Sequence, residues 1–163
     1  MSKPVFLLLG SNMGASEKLL ALAVVEIKKS CGVVESMSAL YRSQAWGYED
    51  QSDFVNQVVK IRTGLAPTDL LETILGIEKS LGRERDGRRW QSRLLDIDIL
   101  FYDHQVIDLP DLKIPHPRIA ERNFTLVPLM EIARDFLHPS LGATIEELYL
   151  QCADTLEVQK IEC

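Results

Sequence analysis

Apolar and polar positions along the chain divide it into short, regular segments. Val5-Phe6-Leu7-Leu8-Leu9 is a continuous apolar run of strand length, the pattern of a buried strand. After a turn at Gly10–Gly14, Leu19, Leu20, Ala23, Val24 and Ile27 recur at helical spacing until Gly32. Val33–Tyr41 then reads as a strand, Gln44–Ser52 as a loop marked by Gly47 and its polar neighbours, and Phe54–Arg62 as a second alternating strand. Pro67 opens the next helix, where its missing N–H costs nothing. Leu70, Leu71, Ile74, Ile77 and Leu81 form the buried stripe of that helix, and Gly82 stops it. Arg83–Arg93 has no apolar periodicity and reads as an exposed loop, and Leu95–Tyr102 is again a strand.

The order strand, helix, strand, strand, helix, strand predicts an α+β, ferredoxin-like fold: an antiparallel sheet with both helices on one face. The last third adds Pro115–Pro117, helices near Val127–Ala133 and Thr144–Gln151, and a short strand near Leu156–Ile161, together a C-terminal extension. With 163 residues and no repeat or linker, the whole chain from 1 to 163 is expected to be one domain. The apolar run near the start is too short to cross a membrane. Three widely spaced cysteines without a C-x-x-C pair support neither a disulfide framework nor a zinc site, and a cytoplasmic location is expected.

Charge narrows the choices. A net −6 argues against non-specific nucleic-acid binding, which needs a basic footprint. The basic residues are nevertheless concentrated, with five arginines between Arg83 and Arg93.

A few residues on stands Asp96-Ile97-Asp98-Ile99. In a strand, alternate side chains share a face, so Ile97, Ile99 and Phe101 would point beneath the helices and Asp96 and Asp98 to the other side. Carboxylates held roughly 7 Å apart repel and call for positive charge, which magnesium supplies while keeping water and phosphate oxygens in its shell. Alone, the pair reads first as the polar face of an exposed strand. Beside arginines, whose guanidinium groups grip phosphate in forked pairs, it points to transfer from a magnesium–nucleotide. The chain has no G-x-x-x-x-G-K-[ST] phosphate loop, so side chains and metal must hold the phosphates.

Several blocks follow one another along the chain: Leu9-Gly10-Ser11-Asn12-Met13-Gly14, Tyr41-Arg42-Ser43, Asp53-Phe54-Val55-Asn56, Gly82-Arg83-x-Arg85 and Arg89-Trp90-x-x-Arg93-x-x-Asp96-Ile97-Asp98-Ile99-Leu100. Ile114-Pro115-His116-Pro117-Arg118, Glu121-Arg122-Asn123-Phe124 and Val127–Ala133 complete the set. In this order they resemble the hydroxymethyldihydropterin pyrophosphokinases of folate biosynthesis. The chain departs from the usual pattern with Gln91-Ser92 in place of Gly-Pro, Leu94 for Thr and Phe54 for Tyr.

The resemblance implies an ATP- and magnesium-dependent enzyme that moves pyrophosphate to the hydroxymethyl group of 6-hydroxymethyl-7,8-dihydropterin and releases AMP. Asp96 and Asp98 would hold two Mg2+ ions, with Arg83 and Arg93 neutralising the transferring group. Glu78, Arg85, Trp90, Ile99, His116 and Arg122 would contact ATP. Phe54 and Phe124 would sandwich the pterin ring, with Asn56, Ser43 and Trp46 bonding its edge. Loops Gln44–Ser52 and Arg83–Ser92 are expected to close over the substrates, and the enzyme is expected to be a monomer with no nucleic-acid or membrane partner. Blander readings stay open: Phe54 and Phe124 as core residues, and His116 as a shaper of its turn. A nucleotide-binding regulatory module without chemistry is the second reading of the whole chain, and a nucleic-acid-binding domain the third.

Overall fold

A computed structural model of the protein describes residues 2–12, 15–43, 53–82 and 95–161. The sheet is entirely antiparallel. Its strands are β1 (Lys3–Ser11), β2 (Val33–Met37), β3 (Tyr41–Ser43), β4 (Phe54–Thr63), β5 (Asp96–Tyr102) and β8 (Val158–Lys160). They lie in the order β5-β1-β4-β3-β8, with β2 also paired to β4. A separate hairpin joins β6 (Ile107–Leu109) to β7 (Leu112–Ile114).

One face of the sheet is covered by α1 (Ser16–Ser30) and α2 (Pro67–Ile77). Leu20, Ala23, Val24 and Ile27 of α1, with Leu70, Ile74 and Ile77 of α2, pack on Val5, Leu7 and Leu9 of β1 and on Ile97 and Ile99 of β5. The other face is covered by α3 (Asn123–Ala133) and α4 (Ile145–Gln151), whose Leu126, Leu129, Ile145 and Leu148 meet Phe6, Leu8 and Val58. Burial on both faces explains why β1 is apolar at successive positions rather than alternating. Thr144 caps α4 in a reciprocal box: its hydroxyl accepts the Glu147 N–H, and the Glu147 carboxylate accepts the Thr144 N–H. Among the described residues, no helix is long and apolar enough to cross a membrane.

Four sequence expectations need correction. Val33–Tyr41 is not one strand. Between Met37↔Val59 and Tyr41↔Asn56 this side advances one residue more than β4, and Ser38–Leu40 leaves the ladder. The Ser38 hydroxyl accepts the Val58 N–H at 3.0 Å, and Glu131 of α3 accepts both the Ala39 N–H and the Tyr41 hydroxyl. These bonds satisfy backbone and side-chain groups at the break.

Phe101 does not lie under α1 and α2. The pairing steps from Leu7↔Ile99 to Phe6↔Phe101, so Leu100 is an extra residue in β5. That bulge puts Phe101 on the α3 side, where its ring meets Phe6, Phe136 and His138. The second helix ends at Ile77 and continues as one π-turn, Glu78–Gly82. Finally, α3 starts at Asn123, four residues before the predicted Val127, and carries Pro128 inside it.

His138 fastens the connection from α3 to α4. It is buried, and its Nδ1 accepts the N–H groups of Ser140 and Leu141, each at 3.1 Å. Burial holds its pKa below the ordinary 6.5. The folded state therefore resists a proton that the unfolded chain takes up. The stability this imidazole contributes is complete above pH 6.5 and is lost as pH falls from there towards the folded-state value. Thermal melts of the wild type should weaken across that window. His138→Gln should flatten part of the slope; an unchanged slope would remove His138 as its source.

Candidate active site

The end of the sheet around Gly10, Asn56 and Asp96 and the start of α3 line a cavity of about 460 Å3, within the usual range for small-molecule sites. Asp96 and Asp98 open into it from β5, as strand alternation upstream of the bulge requires. Ile97, between them, points the other way into the core. Its N–H is bound at 2.7 Å by the Glu78 carboxylate, which the π-turn delivers to the strand edge. Glu78 is thus placed on the α1–α2 side, and Ile99 packs in the core there. Neither side chain lines the cavity.

Cations gather opposite the carboxylates. Arg118 and Arg122 line the cavity. His116 is placed by the bulge, because its N–H donates to the Leu100 carbonyl at 3.0 Å. Its Nδ1 accepts the Arg118 N–H at 3.1 Å, which leaves the proton of the neutral ring on Nε2. Burial lowers the His116 pKa; Asp98 pulls it up, and Arg122 and Arg118 push it further down. Burial likewise lowers the Arg122 pKa, with Arg118 adding to the effect. A guanidinium keeps its charge under such pressure, and an anion between these groups would relieve it.

The other half of the cavity suits a flat polar ring. Phe54, Phe124, Asn56 and Ser43 line it. Asn56 is buried in the central strand β4 opposite Gly10 of β1, and its Nδ2 donates a long bond, 3.4 Å, to the Leu9 carbonyl. A Cβ on Gly10 would lie 2.6 Å from that Nδ2. The glycine of the Gly10-Ser11-Asn12 motif therefore makes room for the Asn56 amide. The Arg122 guanidinium lies over the Phe124 ring at 5.2 Å, a cation–π contact joining the two halves.

The structure thus brings together Asp96, Asp98, Arg122, Ser43, Phe54, Asn56 and Phe124 on one cavity, with His116 held beside Asp98. Trp46, Arg83, Arg85, Trp90 and Arg93, and the two loops expected to close, lie outside the described residues. Sequence reasoning missed Arg118, Glu121, Asp154 and Leu156 as wall residues. Arg118 and Glu121 stand inside the recognised blocks, whereas Asp154-Thr155-Leu156 carries no signal beyond that of a turn.

The family model described as 7,8-dihydro-6-hydroxymethylpterin-pyrophosphokinase (HPPK) matches residues 6–134. The chain belongs to this family. It is 42% identical over 148 residues to the 2-amino-4-hydroxy-6-hydroxymethyldihydropteridine pyrophosphokinase of Bacillus subtilis, covering 90% of this chain and 88% of that one. Similarity to the protein of the same name from Methylorubrum extorquens is 42% identity over 158 residues, covering 96% and 98%. Among solved structures, wild-type HPPK-DHPS of Plasmodium falciparum matches with a TM-score of 0.73 at 18% identity, a likeness of fold. The match takes in 92% of this chain but 44% of that one, so the chain spans less than half of that structure's length.

Proposed function

We propose that this HPPK-family chain transfers pyrophosphate from ATP to the hydroxymethyl oxygen of 6-hydroxymethyl-7,8-dihydropterin, releasing AMP, in folate biosynthesis. The observation that carries the reading is the division of one cavity: a carboxylate pair and cations on one side, two phenylalanines and a buried amide on the other. Moving two phosphates as a unit means breaking the bond between the α–β bridging oxygen and the β-phosphorus. The pterin hydroxyl oxygen forms the new bond to that phosphorus, loses its proton, and the bridging electrons leave on AMP.

Asp96 and Asp98 suit magnesium by chemistry, since both present hard carboxylate oxygens from one rigid strand to a cavity sized for substrate phosphates. Bound there, the ion supplies Lewis-acid neutralisation of the polyphosphate. The protein's own part is positioning. The neutral His116 Nε2–H and the Arg122 guanidinium are the groups for nucleotide oxygens, and Arg118 adds a second positive centre. Ile99, with its side chain in the core, meets ATP through its backbone alone. Arg83, Arg85 and Arg93 are assigned to the transferring group, with Glu78 holding the metal strand rather than the nucleotide itself.

Phe54 and Phe124 present faces for offset stacking on the pterin. Asn56 and Ser43, with Trp46, serve its hydrogen-bonding edge. The strand order β5-β1-β4 followed by β2 and β3, with α1 and α2 on one face, supports the ferredoxin-like assignment. A single domain is supported by one sheet that takes strands from Lys3 to Lys160.

The test is AMP release from ATP and magnesium with and without hydroxymethyldihydropterin. Pterin-dependent AMP is the expected result. ADP in its place would mean that a different bond breaks, and tight ATP binding without turnover would favour a regulatory module.

A further inference from the structure

The segment after α4 lies beyond the residues the family model matches, yet it provides two wall positions of the cavity, Asp154 and Leu156. It is fastened on both sides of the opening. On one side β8 pairs with β3, setting Val158 opposite Ser43, and the Ile161 N–H donates to the Leu40 carbonyl at 2.8 Å.

On the other side Asp154 clasps Asn123, the first residue of α3. The Asn123 N–H donates to Asp154 Oδ2 and its Nδ2 donates to the Asp154 carbonyl, both at 2.9 Å. The Leu156 N–H occupies Oδ1, also at 2.9 Å. Both carboxylate oxygens are therefore used, and one of them satisfies a helix-start N–H that has no partner within the helix. Negative charge at that end is also favoured by the helix dipole.

Asn123 stands between Arg122 and Phe124, so whatever holds Asn123 sets where the Phe124 ring emerges. We propose that Asp154 is a positioning residue for the ring-binding half of the cavity, tying the start of α3 to β3 so that Phe124 faces the site in a fixed place. The inference rests on the pterin reading given above. Arg122 is less dependent on this clasp. Its own N–H donates to the Ile119 carbonyl of the preceding turn, a hold outside α3. Loosening Asp154 should thus affect the flat ring more than the nucleotide.

The experiment compares wild type, Asp154→Asn, Asn123→Ala and the double variant in two titrations. One follows hydroxymethylpterin binding in the presence of a non-hydrolysable ATP analogue; the other follows the analogue alone. An asparagine cannot accept at both oxygens, so Asp154→Asn should raise the pterin Kd about 10-fold, and Asn123→Ala about threefold. The double variant should fall within about twofold of Asp154→Asn, because the two residues act as one unit. Affinity for the analogue should stay within about twofold of wild type. Folded variants with unchanged pterin Kd, or equal losses for pterin and nucleotide, would overturn the assignment. If Asp154→Asn does not fold, Asn123→Ala decides the matter alone. Wild-type protein that fails to bind pterin would instead overturn the reading of the site, which is a separate result.

Discussion

Asparagine in place of Asp96 or Asp98 should cut the rate of AMP release at least about 100-fold, since metal neutralisation of a polyphosphate amounts to several kcal/mol at the transition state. The substitution is nearly isosteric, and the strand around it is held by others. Leu8 pairs with Asp98, Gly10 with Asp96, and Glu78 grips the intervening Ile97 N–H. The loss should therefore appear in turnover with melting temperature little changed. Pterin binding should also persist, because Phe54, Phe124 and Asn56 belong to other strands and to α3. Near-normal turnover at saturating magnesium would remove both aspartates from metal binding.

Asn56→Leu should lower kcat/KM for the pterin about 10- to 100-fold, the cost of leaving a ligand's polar edge against a buried apolar group. The native amide is well placed for that edge. Its one bond among the described residues, to the Leu9 carbonyl, is long, which leaves the carbonyl oxygen and a second N–H for a ligand. Gly10→Ala is the companion test. It leaves Asn56 in the sequence but drives a methyl group against its Nδ2, so it should mimic part of the Asn56→Leu defect. Unaltered kinetics for both variants would return Asn56 to a purely structural part.

These residues were legible in the sequence to different degrees. The helix stripes were readable because burial on one side imposes a 3.6-residue period, as in Leu20, Ala23, Val24 and Ile27. The shared face of Asp96 and Asp98 was readable because they precede the bulge, where the two-residue period still holds. Phe101 follows it, and nothing in the Asp96–Tyr102 string marks where an extra residue enters. The break at Ser38–Leu40 depends on Glu131, more than ninety residues on, and so has no local signature. The hairpin β6–β7 is two three-residue strands, too short to show a period. Asp154 reaches the site through contacts distant in sequence, its bonds to Asn123 and the pairing of β8 with β3, which joins the last described strand to an early one.

The extra residue in β5 bears on how the chain would tolerate a deletion. Removing Leu100 would close the ladder into a regular strand, and every other side chain of β5 would keep its present face. Ile99 would still lie under the helices, Phe101 beneath α3, and both aspartates in the cavity. The core's reading frame does not require the insertion. Apart from one more buried leucine, what the insertion contributes is a carbonyl turned off the ladder towards His116. A one-residue deletion there would keep the strand's pairing, cost about 2–5 kcal/mol for the lost buried leucine, and release the imidazole from its place beside Asp98.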